Sequence, residues 1–218
     1  MLFGIYDLGP SFFISLVRSL VASHKLTGNA FACQVRVGAG QQLRIVKSRT
    51  AQVRLAGIVR VDGWCGEYSP SSITLDEGAS LLISGDFSIG PGVHILVGHN
   101  ARLAVGGRCT SNGSGITCKA RVMVENSLTI GKDCIIAWDT YITDSNWHDI
   151  EGQQRSSPTF IGDNVWVSHG ASVLMGSNIP RGCIVAAKSV VSRGNFIEES
   201  LIGGSPARTL KQGVRWTR

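Results

Sequence analysis

The 218 residues contain no C-x-x-C pair, no long run of Lys or Arg, and only one pattern that reads as a helix of any length. Without a basic run, nucleic acid is a poor partner and none is expected. The six cysteines, Cys33, Cys65, Cys109, Cys118, Cys134 and Cys183, carry no metal-type or redox-type spacing. They suit a reduced, cytoplasmic protein better than a disulfide scaffold. The helical pattern, "SFFISLVRSLVASHK", is too short and too broken by Arg18 to cross a bilayer. It has neither the basic start nor the cleavage site of a signal peptide. Charged residues are only 17% of the chain, while glycine is abundant at 27 residues, which fits a coil-rich β architecture in one domain. The net charge of +6 is compatible with an anionic ligand such as a nucleotide phosphate, with an anionic membrane surface, or with solvated charge alone.

What the sequence does contain is a period of six. Ile130, Ile136 and Ile142, and after a break Ile161, Val167, Val173, Ile179, Val185 and Val191, are all β-branched. Two positions before each stands a mostly small residue: Leu128, Cys134, Thr140, Thr159, Val165, Ala171, Ser177, Cys183 and Ser189. Neither the 3.6 period of a helix nor plain strand alternation produces this pattern, but a solenoid of hexapeptides does. Each hexapeptide is then a short strand and a turn, three make one coil, and the Ile or Val points to the coil axis. Coils stack at about the 4.8 Å spacing of neighbouring strands. The small residues sit at crowded corners, and Gly131 and Gly162 permit tight backbone after the aliphatic position.

The period returns at Ile83, Ile89 and Ile95, with Val97 and Leu103 in a shifted frame, so the solenoid is expected to reach back to about residue 40. Two polar stretches interrupt it, 106–118 and 144–158. Ile142 to Ile161 is nineteen positions where unbroken repeats need eighteen, so the second stretch leaves the coil and returns nearly in register. Insertions into a regular solenoid often carry function. The expected organisation is an N-terminal arm and amphipathic helix over 1–30, a β-helix over 31–200 with a loop at 143–158, and a cap with a basic tail over 201–218. Phe12, Leu16 and Leu20, with Phe13 and Val17 on a neighbouring track, form the apolar side of the helix. That side packs on the first coils or a neighbouring subunit, or makes a peripheral membrane contact through residues 11–24 at the inner face of the membrane.

"LTIGKDCIIAWDTYITDSNWH", "PTFIGDNVWVSHGASVLMGSNIPRGCIVAAKSVVSR" and "IGGSPARTLK" resemble the hexapeptide-repeat acyltransferases, in particular the O-acetyltransferases of sugars and cell-surface polysaccharides. The resemblance covers about residues 105–211. It implies an all-β fold, a left-handed parallel β-helix, assembled as a homotrimer. It also implies acetyl transfer from acetyl-CoA to a hydroxyl of a small-molecule or lipid-linked sugar in surface polysaccharide or lipopolysaccharide synthesis, with no metal required.

By matched position, His148 is the general base, suited by an imidazole that titrates near neutrality. Asp144 is a candidate to orient it. The family commonly has Pro after this His; here it is Asp149, which with Trp147 and Asn112 is placed near the acceptor. Asn112 is equally a turn residue in a Gly/Ser-rich loop, and Trp147 equally an anchor for its own loop. The resemblance assigns Trp166, His169, Ala187, Ser192 and Arg193 to the donor, and Arg208 and Lys211 to its phosphates, where guanidinium offers paired donors. Trp166 points outward, since Val165 and Val167 hold the repeat positions, and packing between subunits is its other reading. His94 and His99 imitate an H-x4-H ligand pair of γ-class carbonic anhydrases, a zinc alternative that needs a third His upstream, where only His24 stands. A β-helical scaffold without chemistry is the remaining alternative.

Overall fold

The computed structural model describes residues 10–63, 66–110 and 113–217. From Val35 onward the chain winds as a three-faced parallel β-helix, each strand pairing with the strand one coil before and one coil after. On the first face the inward column runs Val37, Val61, Ile89, Ile116, Ile136, Val167, Val185, Ile202. The second face stacks Ile45, Ile73, Ile95, Val122, Ile142, Val173, Val191. The third stacks Leu55, Ile83, Val105, Ile130, Ile161, Ile179. All but Leu55 are buried, in one continuous core. Each full burial of such a side chain contributes about 1.5–3 kcal/mol.

All nine β-branched residues of the six-residue period lie in these columns, and the small residues two positions earlier are buried as well. The solenoid begins at Val35, slightly earlier than the period alone indicates. The corners obey a rule that the small residues only hint at. The position just before the small residue has positive φ at seven of the nine: Asp133 (55°), Asp139 (58°), Asn164 (52°), Gly170 (63°), Gly176 (71°), Gly182 (72°) and Lys188 (60°), with Ser127 and Pro158 the exceptions. Gly, Asn and Asp tolerate this region best, which explains most of the choices. Gly131 and Gly162 act differently from expectation. Neither has positive φ. A Cβ on Gly131 would lie 2.5 Å from the carbonyl carbon of Gly162, and one on Gly162 would lie 2.7 Å from the Arg181 nitrogen. These glycines are required by the approach of the next coil's backbone.

Both ends of the stack are closed. At the C-terminal end Ser200–Gly204 turns back as an antiparallel hairpin with Ala207–Gln212. At the N-terminal end helix α1 (Pro10–Thr27) lies over the first coil and contacts Val35–Val37, Leu43–Lys47 and Gln52–Leu55. Proline starts the helix, where no donor is needed. Gly28 (φ 82°) ends it, donating its N–H to His24 O at 2.8 Å.

The face that α1 turns inward corrects the expectation from its apolar tracks. Ser19 Oγ accepts from Val37 N (2.9 Å), Ser23 Oγ accepts from Val35 N (3.0 Å), and the Ser15 hydroxyl donates to Val37 O. Arg18 adds a bond to Gln41 O at 2.9 Å. Serines spaced by four thus satisfy the backbone groups that an edge strand would otherwise expose. Ala22 and Leu26 pack beside them, while Phe12, Phe13, Leu16 and Val17 remain exposed.

Candidate functional site

The excursion after Thr143 leaves the corner between the second and third faces and forms a short hairpin. Ser145 and Ser156 bridge antiparallel, Asn146 N donates to Arg155 O (2.8 Å), and Ser157 N donates to Asp144 O (2.9 Å). Glu125, one coil earlier, accepts from Arg155 Nε (2.6 Å) and from the Ser145 hydroxyl. Thr159 Oγ1 donates to Thr143 O (3.1 Å) and clamps the base. Trp147, with φ of 63°, donates its backbone N–H to Ser145 Oγ (2.9 Å) and its indole N–H to Tyr141 Oη (3.0 Å). Its indole therefore anchors the loop.

His148 follows, exposed at the end of this braced hairpin, and no group among the described residues hydrogen-bonds its imidazole. Asp149 is exposed too and faces Arg155 at 3.7 Å. Asp144 does not orient His148 within the chain. It is fully buried, and its two carboxylate oxygens accept from Glu125 N and Asn126 N, each at 2.8 Å. Burial raises its pKa, opposed by those backbone bonds. Asp144 is a staple between coils, and its proximity in sequence to His148 reflects the corner they share.

The residues matched to the donor fall into three patches. Trp166, His169 and Ala187 meet in an open, mostly apolar groove of about 420 Å³ on the first face. Ser192 and Arg193 lie elsewhere, bordering a second groove with Leu174, Met175 and residues of the excursion loop. Arg208 and Lys211 are exposed on the terminal hairpin, opposite Gly203 and Leu201. Register links the first and third patches, because the outward column of the first face runs Ile135, Trp166, Ile184, Leu201, Lys211. No residue of the 144–158 excursion lines the first-face groove. Asn112 lies outside the described residues.

Two aromatic residues of the first-face groove escape the sequence reading. Trp138 stands one coil before His169; their rings are 5.3 Å apart and His169 Nδ1 is 3.2 Å from Trp138 O. Trp216 comes from the C-terminal tail; its indole donates to Asn164 O (2.9 Å) and its ring lies 6.0 Å from that of Trp166. Trp138 was detectable as an outward position between repeat residues, whereas Trp216 lies beyond the period altogether. The groove continues past Thr117 and Ile135 into a hollow lined by Asp62, Ser88 and Gly115. The Thr117 hydroxyl oxygen is buried there without a hydrogen-bond partner, an arrangement that favours a polar ligand group.

The zinc alternative finds little in the geometry. His94 Nδ1 is 2.8 Å from Ser72 Oγ, and among the described residues no three His, Cys, Asp or Glu side chains gather as a metal site. None of the described helices is long and apolar enough to cross a membrane.

No family model matches the chain. It is 31% identical over 147 residues to an Escherichia coli K12 protein named "Putative lipopolysaccharide biosynthesis O-acetyl transferase WbbJ", covering 60% of this chain and 74% of that one. It is 27% identical over 118 residues to the polysialic acid O-acetyltransferase of Escherichia coli O1:K1 / APEC, covering 51% of this chain and 37% of that one. The crystal structure of the polysialic acid O-acetyltransferase OatWY superposes with a TM-score of 0.52 at 20% identity, over 82% of this chain and 90% of that one, a likeness of fold. With its six-residue period, its three parallel faces and these relatives, the chain belongs to the hexapeptide-repeat O-acetyltransferases, acyltransferases built on a left-handed parallel β-helix.

Proposed function

We propose that the protein transfers an acetyl group from acetyl-CoA to a sugar hydroxyl in surface polysaccharide or lipopolysaccharide synthesis, at sites formed between the subunits of a homotrimer. The observation that carries this reading is the separation within one chain. Trp166, His169 and Ala187 share the first-face groove, while His148 stands on a loop that leaves the opposite corner. A reaction that uses both needs the loop of one copy beside the first face of the next. Cyclic symmetry supplies that contact three times over.

In this reading the aromatic half of the groove holds the donor, and Lys211 and Arg208 meet its phosphates. Lys211 lies three strand spacings from Trp166, roughly 14 Å. The polar half, with Thr117, Ser88 and Asp62, faces the acceptor. His148 takes the acceptor hydroxyl proton as the oxygen bonds to the thioester carbonyl carbon. The carbon–sulfur bond then breaks, and the proton passes to the leaving thiolate. Holding both substrates in one cleft supplies much of the rate, and an oriented donor stabilises the carbonyl oxygen as it gains charge. Trp147 and the Glu125–Arg155 pair hold the hairpin rigid, which lowers the ordering cost of each turnover.

The test is calorimetric binding of acetyl-CoA to the purified protein and to Trp166→Ala, followed by a screen of sugar acceptors with His148→Ala as the control. Binding weakened by Trp166→Ala, with transfer abolished by His148→Ala, supports the reading. A folded protein that binds no acetyl-CoA overturns it.

A further inference from the structure

Helix α1 is inverted relative to an ordinary surface helix, which turns its apolar stripe to the core. Here Ser15, Ser19 and Ser23 face the first coil, and the outer surface presents Phe13 (57% exposed), Ile14, Val17 (58%) and Val21. Phe31, in the loop that follows, is 90% exposed. Contiguous apolar surface of this kind on a folded protein marks an interaction site. Beside it, Val17, Val21, Leu43 and Ile45 line a shallow groove between α1 and the second face, flanked by Arg18 and Lys25.

Charge identifies the partner. Between Pro10 and Val61 there are eight Lys and Arg and no Asp or Glu, whereas the rest of the chain carries 13 basic and 15 acidic residues. The positive balance of the whole protein therefore resides in α1, the first coil and the strand Val59–Val61 that follows it. A protein partner would need an equally apolar and acidic surface, while an anionic bilayer offers both properties in one plane. Apolar side chains and basic flanks on a helix too short and too polar to span suit a helix that lies in the membrane interface.

We propose that the N-terminal cap is a docking face for an anionic phospholipid membrane. The outer side of α1 and Phe31 enter the headgroup region, the basic residues around them meet lipid phosphates, and the coils carrying the candidate site project away from the bilayer. A lipid-linked substrate is thereby met at its own surface. This inference rests on the first coil alone and stands whether or not the acyl-transfer reading does.

The experiment is sedimentation of the full chain with vesicles of phosphatidylcholine alone and of phosphatidylcholine with about one third phosphatidylglycerol, at low and high salt. Phe13→Glu with Val17→Glu removes the apolar contact, and Lys25→Glu with Arg44→Glu removes charge; all four positions are exposed or border the groove. The expected result is partition to the anionic vesicles, weakened roughly tenfold by either pair and by salt, with unchanged melting. Absence of vesicle binding, or equal partition of the wild type and both variants, overturns the proposal. Sedimentation velocity is run in parallel. A subunit number that falls in the Phe13→Glu, Val17→Glu variant would assign the face to contact between copies and overturn it as well.

Discussion

The first and last coils solve one folding problem with different materials. The later coils keep a strict period: Val167, Val173, Ile179, Val185 and Val191 recur every six residues with two-residue strands between tight corners. The earlier coils use longer strands, such as Leu43–Lys47 and Ser71–Leu75, and irregular corners, yet stack in the same three columns. The comparison teaches that the inward column is what the fold requires. Strict spacing is a further constraint where corners are tight and groove residues must stay in register. The difference extends to the outer surface. On the first face the outward column runs Arg36, Arg60, Ser88 and Gly115 in the early coils, then Ile135, Trp166, Ile184 and Leu201 in the late ones. Charge gathers at one end and the aromatic groove at the other.

The sharpest way to break this division is to separate chemistry from location. His148→Ala is expected to lower kcat/KM by about 10²–10⁴ without changing the melting temperature, since general-base catalysis is worth that much and the side chain is exposed. Phe13→Glu with Val17→Glu should leave turnover on a soluble acceptor unchanged. Next in size is the core. Ile142→Ala in the strict half should cost about 2–5 kcal/mol in denaturant unfolding, and Ile73→Ala in the same column of the irregular half should cost as much. A much smaller loss at Ile73 would show that the early coils are a loosely packed appendage.

Two carboxylates sharpen the comparison through opposite pH slopes. Glu67, in an early coil, is held down to about 2 by its bond to the Lys119 ammonium and then by Ser69. Its stabilising effect is present above the free value of about 4.5 and is lost as pH falls through 2. Asp144 is pushed the other way by burial. Its ionised form is the penalised one, so its contribution declines as pH rises from the free Asp value, about 3.9, through the raised folded value. Thermal melts of Glu67→Gln and Asp144→Asn against the wild type across acidic pH should show these opposite trends. Parallel trends would mean that Asp144 is not desolvated. The smallest expected effect is Trp216→Ala, which removes an aromatic neighbour of Trp166 and should weaken donor binding by about 3- to 10-fold in calorimetry. Thiol labelling gives a side check. Cys109 is exposed and should react, whereas Cys134, buried and pushed up to about 12, should not.

The sequence made the late coils legible because each corner demands a residue tolerant of positive φ, then a small side chain, then a β-branched one. Those demands repeat at a fixed distance. Ile83, Ile89 and Ile95 carried the same signal for part of the early stack. The inverted helix was not legible as such. Its apolar tracks were plain, but Ser15, Ser19 and Ser23 reveal their purpose only against the unpaired backbone of Val35–Val37. The site was legible in pieces. Matched positions identified Trp166, His169 and Ala187, which the fold brings into one groove. The matched motif placed Asp144 beside His148 in sequence, while the bonds its carboxylate makes to Glu125 N and Asn126 N could be read only from the fold. Trp216 reaches the groove across 52 residues from its hydrogen-bond partner, a contact that no local pattern encodes.

The central claim is that one active site takes His148 from one subunit and Trp166 from another. The most direct test is to co-assemble His148→Ala and Trp166→Ala subunits in equal amounts and measure acetyl transfer. Random mixing leaves about a quarter of the sites with both residues intact if each site spans two subunits. The account predicts activity well above that of a blend of the two separately assembled variants. Activity no higher than the blend would place both residues' roles within one chain and contradict it.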